Sequence, residues 1–160
     1  MPSQPNQNSE DFKYLLSYAY KILGLKPYLS GSLALKLQRQ VLKLKLSLVK
    51  DDINKIIAEI KSKGYLDDSY LVCKYIQRNL EKGWGPRIIR LKLKNLGADP
   101  QEIDLQLSEY ENNGAIVEYA NIYSTKKNLY SQPGGYAKLL NRGFLPHHTK
   151  LVFDAGDMSE

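Results

Sequence analysis

The sequence predicts an all-α protein built from three tandem three-helix repeats. Two observations carry this. Apolar residues recur at helical spacing in one segment after another, each segment closed by Gly or Pro. The segments also resemble one another: Leu91-Lys92-Leu93 with Gly97 and Pro100 returns 46 residues later as Ala137-Lys138-Leu139 with Gly143 and Pro146. Leu35-Lys36-Leu37 holds the same place in the first repeat, and Ile56 and Ile60 match Ile103 and Leu107 at a shift of 47. A period of this size argues for stacked helical units that bury their apolar faces on their neighbours.

The first helix is expected near Ser9 or Glu10, with a stripe of Phe12, Leu15, Leu16, Ala19, Ile22 and Leu23, and ends at Gly24 and Pro27. Ser30 is placed to cap a second helix through Leu33, Leu37 and Val41. The run Val41 to Val49 alternates like a strand, but no second strand exists to pair with it. It reads as helix extension or an irregular connection, an insertion of about nine residues by the repeat spacing. A third helix follows from Asp51 or Asp52, carries Ile53, Ile56, Ile57 and Ile60, and stops at Gly64.

The second repeat is the most clearly punctuated. Gly64 ends a helix in the left-handed conformation, and Asp67 or Asp68 caps the next one. Val72, Ile76 and Leu80 face its core, and Gly83 closes it. Pro86 starts the helix that Gly97 stops, and Gly85 sits in the turn between. Asp99-Pro100-Gln101-Glu102 comes close to a capping box, with Ile103, Leu107 and Tyr110 behind it. The third repeat runs through Ile116, Tyr119, Ala120 and Tyr123, a Pro133-Gly134-Gly135 turn, Tyr136 to Asn141, and a short last helix with Leu151 and Val152. The expected order is therefore a disordered leader over 1–10, repeats over 11–66 (lengthened near 41–49), 67–110 and 111–153, and an acidic tail over 154–160.

Net charge is +6, which favours acidic partners. It is unevenly spread. Residues 1–64 hold 11 Lys and Arg against 5 Asp and Glu, whereas residues 99–160 hold 5 against 9, so the front of the chain is the basic part. Cys73 is the lone cysteine, which rules out an internal disulfide and suits a reducing compartment. No run approaches the roughly 20 apolar residues of a bilayer span, and the polar start Met1 to Asn8 does not read as a signal peptide. A cytoplasmic protein is expected.

Gly64-Tyr65-Leu66-Asp67-Asp68, Tyr75-Ile76 with Arg78, Gly83-Trp84-Gly85-Pro86-Arg87-Ile88 and Leu93 with Gly97 resemble the signature of the RecX family. Leu139-Leu140-Asn141-Arg142-Gly143-Phe144 is similar to its third-repeat pattern, so the resemblance spans residues 12–153. Trp84 and the lengthened first repeat depart from it. The resemblance implies an elongated, curved array of three-helix repeats lying in the groove of a RecA recombinase filament on DNA. It implies inhibition of that filament, by blocked extension or disassembly, with lowered ATPase and strand exchange, and hence a role in recombinational repair and the SOS response.

Arg87, Arg90 and Lys94 share a helical face, and Arg78 pairs with Lys82 on the preceding helix. Two arginines on the first of these faces favour contact with carboxylate or phosphate. With Trp84 they form the expected surface for the recombinase and for single- or double-stranded DNA. Trp84 is either an interface anchor or packed under the turn. Gly64, Asp67, Asp68, Gly83, Gly85, Pro86 and Gly97 read as structural. Tyr14, Tyr18, Tyr119 and Tyr123 fall at helical spacing, which points to core packing rather than to a platform for unpaired bases. Cys73 reads as a small buried apolar residue. His147 and His148 are adjacent, hence about 100° apart on a helix and unable to face one metal together. No phosphate loop and no nucleophile–base pair is present. A monomeric, cofactor-free binding protein is expected rather than an enzyme, with a stand-alone helical nucleic-acid-binding module as the alternative.

Overall fold

A computed structural model describes residues 7–156, and among these there are nine helices and no strand. They are α1 (Gln7–Leu23), α2 (Ser30–Leu44), α3 (Lys50–Ser62), α4 (Asp68–Glu81), α5 (Pro86–Asn95), α6 (Pro100–Asn112), α7 (Ala115–Lys126), α8 (Gly135–Asn141) and α9 (Pro146–Gly156). The all-α prediction holds. Residues 7–10, expected in the leader, form the first turn of α1, and residues 1–6 lie outside the described residues. Asp154, at the start of the expected tail, is still within α9, and residues 157–160 lie outside the described residues.

The chain forms two compact units. The first takes the chain through Asp68 together with Leu96–Ala98. Its core is the stripe expected of α1 to α3: Leu15, Ala19, Leu33, Leu37, Ile56 and Ile60 are fully buried. The Val41–Val49 run divides. Its first part extends α2 to Leu44, where Lys45 turns left-handed at φ 54° and the Leu46 amide bonds back to Val41 O at 3.0 Å. The rest is an irregular connection, held because Leu48 is buried and the Ser47 amide donates to Asp11 Oδ2 at 2.7 Å. Asp52 then accepts from the Val49 amide at 3.0 Å and starts α3 at Lys50.

Ser30 does not cap α2. Leu29 occupies the cap position and supplies no side-chain bond, and the Ser30 hydroxyl is buried without a partner. The Ser30 amide instead donates to Asp68 Oδ1 at 2.8 Å, a bond to a charged acceptor 38 residues away. Beside it, Gly31 and Gly97 meet backbone to backbone. A Cβ on Gly31 would sit 2.1 Å from Gly97 O, and Gly97 itself has φ +80°.

The second unit takes Ser69–Asn95 and the chain from Asp99. Val72, Ile76, Leu80, Ile89, Leu93 and Ile103 are fully buried in it. Asp99 caps α6 as expected, accepting from Gln101 N at 2.7 Å and Glu102 N at 3.3 Å. The reciprocal half of the capping box is missing because Glu102 turns to Ser69 and Gln106. Cys73 is half-buried rather than buried: its Sγ lies 3.7 Å from Tyr110 Oη, and burial pushes that phenol up to about 12.

Candidate partner-binding surface

The α4–α5 turn is built around Gly83 and Gly85. Gly83 has φ +73° and packs so closely on Tyr123 that a Cβ would lie 2.0 Å from the ring. Its amide returns to Leu80 O at 2.8 Å, and the Trp84 amide to Asn79 O at 2.9 Å. Gly85 then donates to Arg142 O at 2.8 Å, and the Arg87 amide to Gly143 O at 3.1 Å. The α4–α5 turn and the α8–α9 turn are thus joined by their main chains. Pro86, buried at the start of α5, has no amide to leave unsatisfied.

Arg142 completes this joint from the other side. Its Nε donates to Gly83 O at 2.9 Å and its Nη2 to Lys82 O at 2.5 Å. Its guanidinium lies 3.6 Å from the Trp84 ring centre and 4.9 Å from that of Tyr123, while Lys92 Nζ sits 4.2 Å from the Trp84 ring. Trp84 is therefore a half-buried ring held between two cations, neither a free anchor nor a core residue. Arg142 belongs to the third-repeat motif, but helical spacing gives it no role of its own. The local signal is an arginine just before the glycine that a neighbouring backbone must approach.

The predicted basic residues separate into two kinds. Arg90 Nη2 pairs with Asp104 Oδ1 at 2.9 Å, both side chains exposed, which takes it out of the unpaired set. Arg87 is exposed and reaches Leu140 O only at 3.4 Å. Arg78, Lys82 and Lys94 are exposed and make no side-chain hydrogen bond or ion pair among the described residues. Gly64, at φ +77°, ends α3, and Asp67 precedes the first residue of α4.

A second cluster runs against the expectation that adjacent histidines diverge. His147 Nε2 and His148 Nε2 both reach the Glu111 carboxylate, at 2.8 and 2.7 Å, with their ring centres 3.9 Å apart. Adjacency sets the Cα–Cβ directions about 100° apart, but a carboxylate presented by α6 has two oxygens to meet two divergent rings. These three side chains lie close enough to hold a metal; the hydrogen bonding does not suit one. The Leu145 amide donates to His148 Nδ1 at 3.2 Å, so the neutral ring carries its proton on Nε2 and gives it to Glu111. A ligating histidine needs one ring nitrogen free to meet the metal, and here Nδ1 is taken by the Leu145 amide and Nε2 by Glu111. His148 instead does for α9 what a glutamate does in a capping box. Burial holds the His148 imidazolium below its usual range, against the pull of Glu111. Burial also raises the Glu111 carboxyl, but the bonds from His147 and His148 outweigh this and hold it below its usual value.

No family model matches the chain. Regulatory protein RecX of Salmonella typhimurium is 26% identical over 162 residues, which cover 94% of this chain and 96% of that protein. Regulatory protein RecX of Salmonella newport is 26% identical over 154 residues, covering 89% and 92%. Among solved structures, RecX from Lactobacillus salivarius superposes with a TM-score of 0.79 at 19% identity over 94% of this chain and 99% of that one. A crystal structure of regulatory protein RecX gives 0.72 at 17% over 92% and 73%. The fold is thus shared with solved RecX structures, and no helix among the described residues is long and apolar enough to cross a membrane. Along nearly its whole length, then, the chain is similar in sequence to curated proteins named regulatory protein RecX, and it shares the fold of solved RecX structures.

Proposed function

We propose that this protein regulates the RecA recombinase by binding its filament on DNA and inhibiting it, through blocked extension or disassembly. Lowered ATPase and strand exchange would then modulate recombinational repair and the SOS response. It acts in the cytoplasm as a monomer, by binding rather than catalysis and without a cofactor, as its relatives named regulatory proteins suggest. The observation that carries this reading is the strip formed by Arg78, Lys82, Arg87 and Lys94. These cations are exposed around the α4–α5 turn with no carboxylate on any of them, whereas the turn's own glycines and Pro86 are buried in packing. Unpaired arginine and lysine on a rigid support suit carboxylates of a recombinase and phosphates of its DNA.

The test is RecA ATP hydrolysis on single-stranded DNA with and without the protein. Inhibition is expected, and an unchanged rate at excess protein refutes the proposal. Arg87→Glu with Lys94→Glu should weaken inhibition at unchanged helix content. Arg90→Glu adds little, since Arg90 already has a carboxylate. Full inhibition by the double variant would put the binding face elsewhere.

A further inference from the structure

We infer that the groove between α1 and α2 is a binding site for single-stranded nucleic acid. It lies wholly within the first unit, uses none of the residues proposed for the recombinase, and does not depend on that reading. The groove encloses about 430 Å³ and is lined by Tyr18, Tyr28, Leu35, Lys36, Arg39 and Lys43, among other side chains. Lys36, Arg39 and Lys43 stand at i, i+3 and i+7 on α2, one face of the helix. No carboxylate lines the groove, and none of the three cations has an ion pair among the described residues. Their charge is left to an outside anion.

The aromatic rings decide what kind of anion. Tyr28 is half-buried, accepts from Lys36 Nζ at 3.1 Å, and has Lys26 and Lys36 nitrogens 5.0 and 5.4 Å from its ring centre. On α1, Tyr14 is 44% exposed instead of packed in the core as its spacing suggests, and its hydroxyl is held by Gln40 Nε2 at 3.1 Å. Tyr18, one turn on, is half-buried along the groove wall. Cations alone would take any polyanion. Cations interleaved with partly open tyrosine rings match a polyanion that carries planar faces, and only an unpaired strand has its faces free to stack. An acidic peptide would use the lysines and leave the rings idle.

The experiment is fluorescence anisotropy of a labelled oligothymidine with the full chain, at several salt concentrations between about 50 and 200 mM. Binding is expected, with a log affinity that falls linearly with log salt. Each phosphate neutralised on a single strand adds roughly 0.7 to that slope, so Lys36→Gln, Arg39→Gln and Lys43→Gln together should flatten it by about 2. Tyr28→Leu should weaken binding at least about fivefold at fixed salt. If the triple variant loses helix content, Arg39→Gln alone, on an exposed residue, should still flatten the slope by about 0.7. Failure of the unmodified chain to bind the oligonucleotide overturns the inference. So does an unchanged slope in a folded variant, or displacement by polyglutamate as readily as by unlabelled oligonucleotide. None of these readouts involves RecA, so this site and the proposed function fail separately.

Discussion

Replacing Gly85 by alanine tests whether the α4–α5 and α8–α9 turns are held by direct main-chain contact. A Cβ there would lie 2.1 Å from Phe144 N, 2.2 Å from the Gly143 carbonyl carbon and 2.5 Å from Gly143 O. All three are backbone atoms, so no side chain can swing away to make room. The two turns must separate, and separation breaks the bonds from Gly85 N to Arg142 O and from Arg87 N to Gly143 O. Two net hydrogen bonds at about 1 kcal/mol each and overpacking of about 1–3 kcal/mol give a loss of about 3–5 kcal/mol. That is a large share of the roughly 5–15 kcal/mol that holds a typical domain folded.

Trp84 is the single tryptophan and sits beside the substituted residue, so its emission in a urea titration reports this joint. The midpoint should fall sharply, and the thermal midpoint by about 10 °C for a protein of this size. Gly114→Ala is the control. Gly114 has φ +75° with nothing within 4 Å of a Cβ, so only left-handed strain of about 1–2 kcal/mol is expected. If Gly85→Ala costs no more than Gly114→Ala, the close approach of the two turns does not exist as described.

Three further outcomes follow from the same geometry. Ser30→Ala should leave stability unchanged or slightly raised, because the hydroxyl is buried without a partner; Asp68→Ala should cost about 2 kcal/mol by leaving the Ser30 amide unmet, and the opposite ranking in urea denaturation would refute this account of α2's start. Arg142→Lys should shift Trp84 emission and destabilise by about 2 kcal/mol, since an ammonium cannot stack on the indole and bond two carbonyls at once. His148 should titrate in NMR below its ordinary 6.5 with the proton on Nε2 when neutral; because the folded state resists protonation, stability is fully present above that value and declines as pH falls through it, and a midpoint above 7 would refute the buried, neutral ring.

Helix ends were legible where Gly or Pro marks them, whereas the left-handed Lys45 that ends α2 gave no such signal. Gly64, Gly83 and Gly97 adopt positive φ, and Pro100 follows the Asp99 cap, all as their sequence neighbours imply. What escaped sequence reasoning were partners far along the chain. Asp68 reads as a cap for its own helix, yet it bonds an amide 38 residues away. Glu102 has the spacing for a capping box and goes to Ser69 instead. Arg142 reaches carbonyls 59 and 60 residues back. A polar side chain with two available acceptors or donors is not decided by periodicity; it is decided by which neighbouring element folding brings beside it. The pairing of one basic residue was hidden for the same reason: helical spacing put Arg87, Arg90 and Lys94 on one face but could not show Asp104 taking Arg90.

That distinction bears on how the surface would work. A cation neutralised by a carboxylate contributes little field, whereas one stacked on a ring or bonded to carbonyls keeps its full charge. Arg90 is of the first sort. Arg142 and Lys92 are of the second, since Trp84, Tyr123 and the carbonyls of Lys82 and Gly83 carry no formal charge. On the proposed reading, Arg78, Lys82, Arg87 and Lys94 are the contacts, and Arg142 and Lys92 are fixed, un-neutralised charges held at Trp84. Fixed charges strengthen the attraction of an acidic partner without themselves needing to touch it. Removing the stack with Trp84→Leu should therefore leave the charge and the salt dependence of association in place while loosening the joint. Replacing Lys82 and Lys94 by glutamine should do the reverse. An association rate that loses its salt dependence in Trp84→Leu would show that the ring, and not the charge around it, makes the contact.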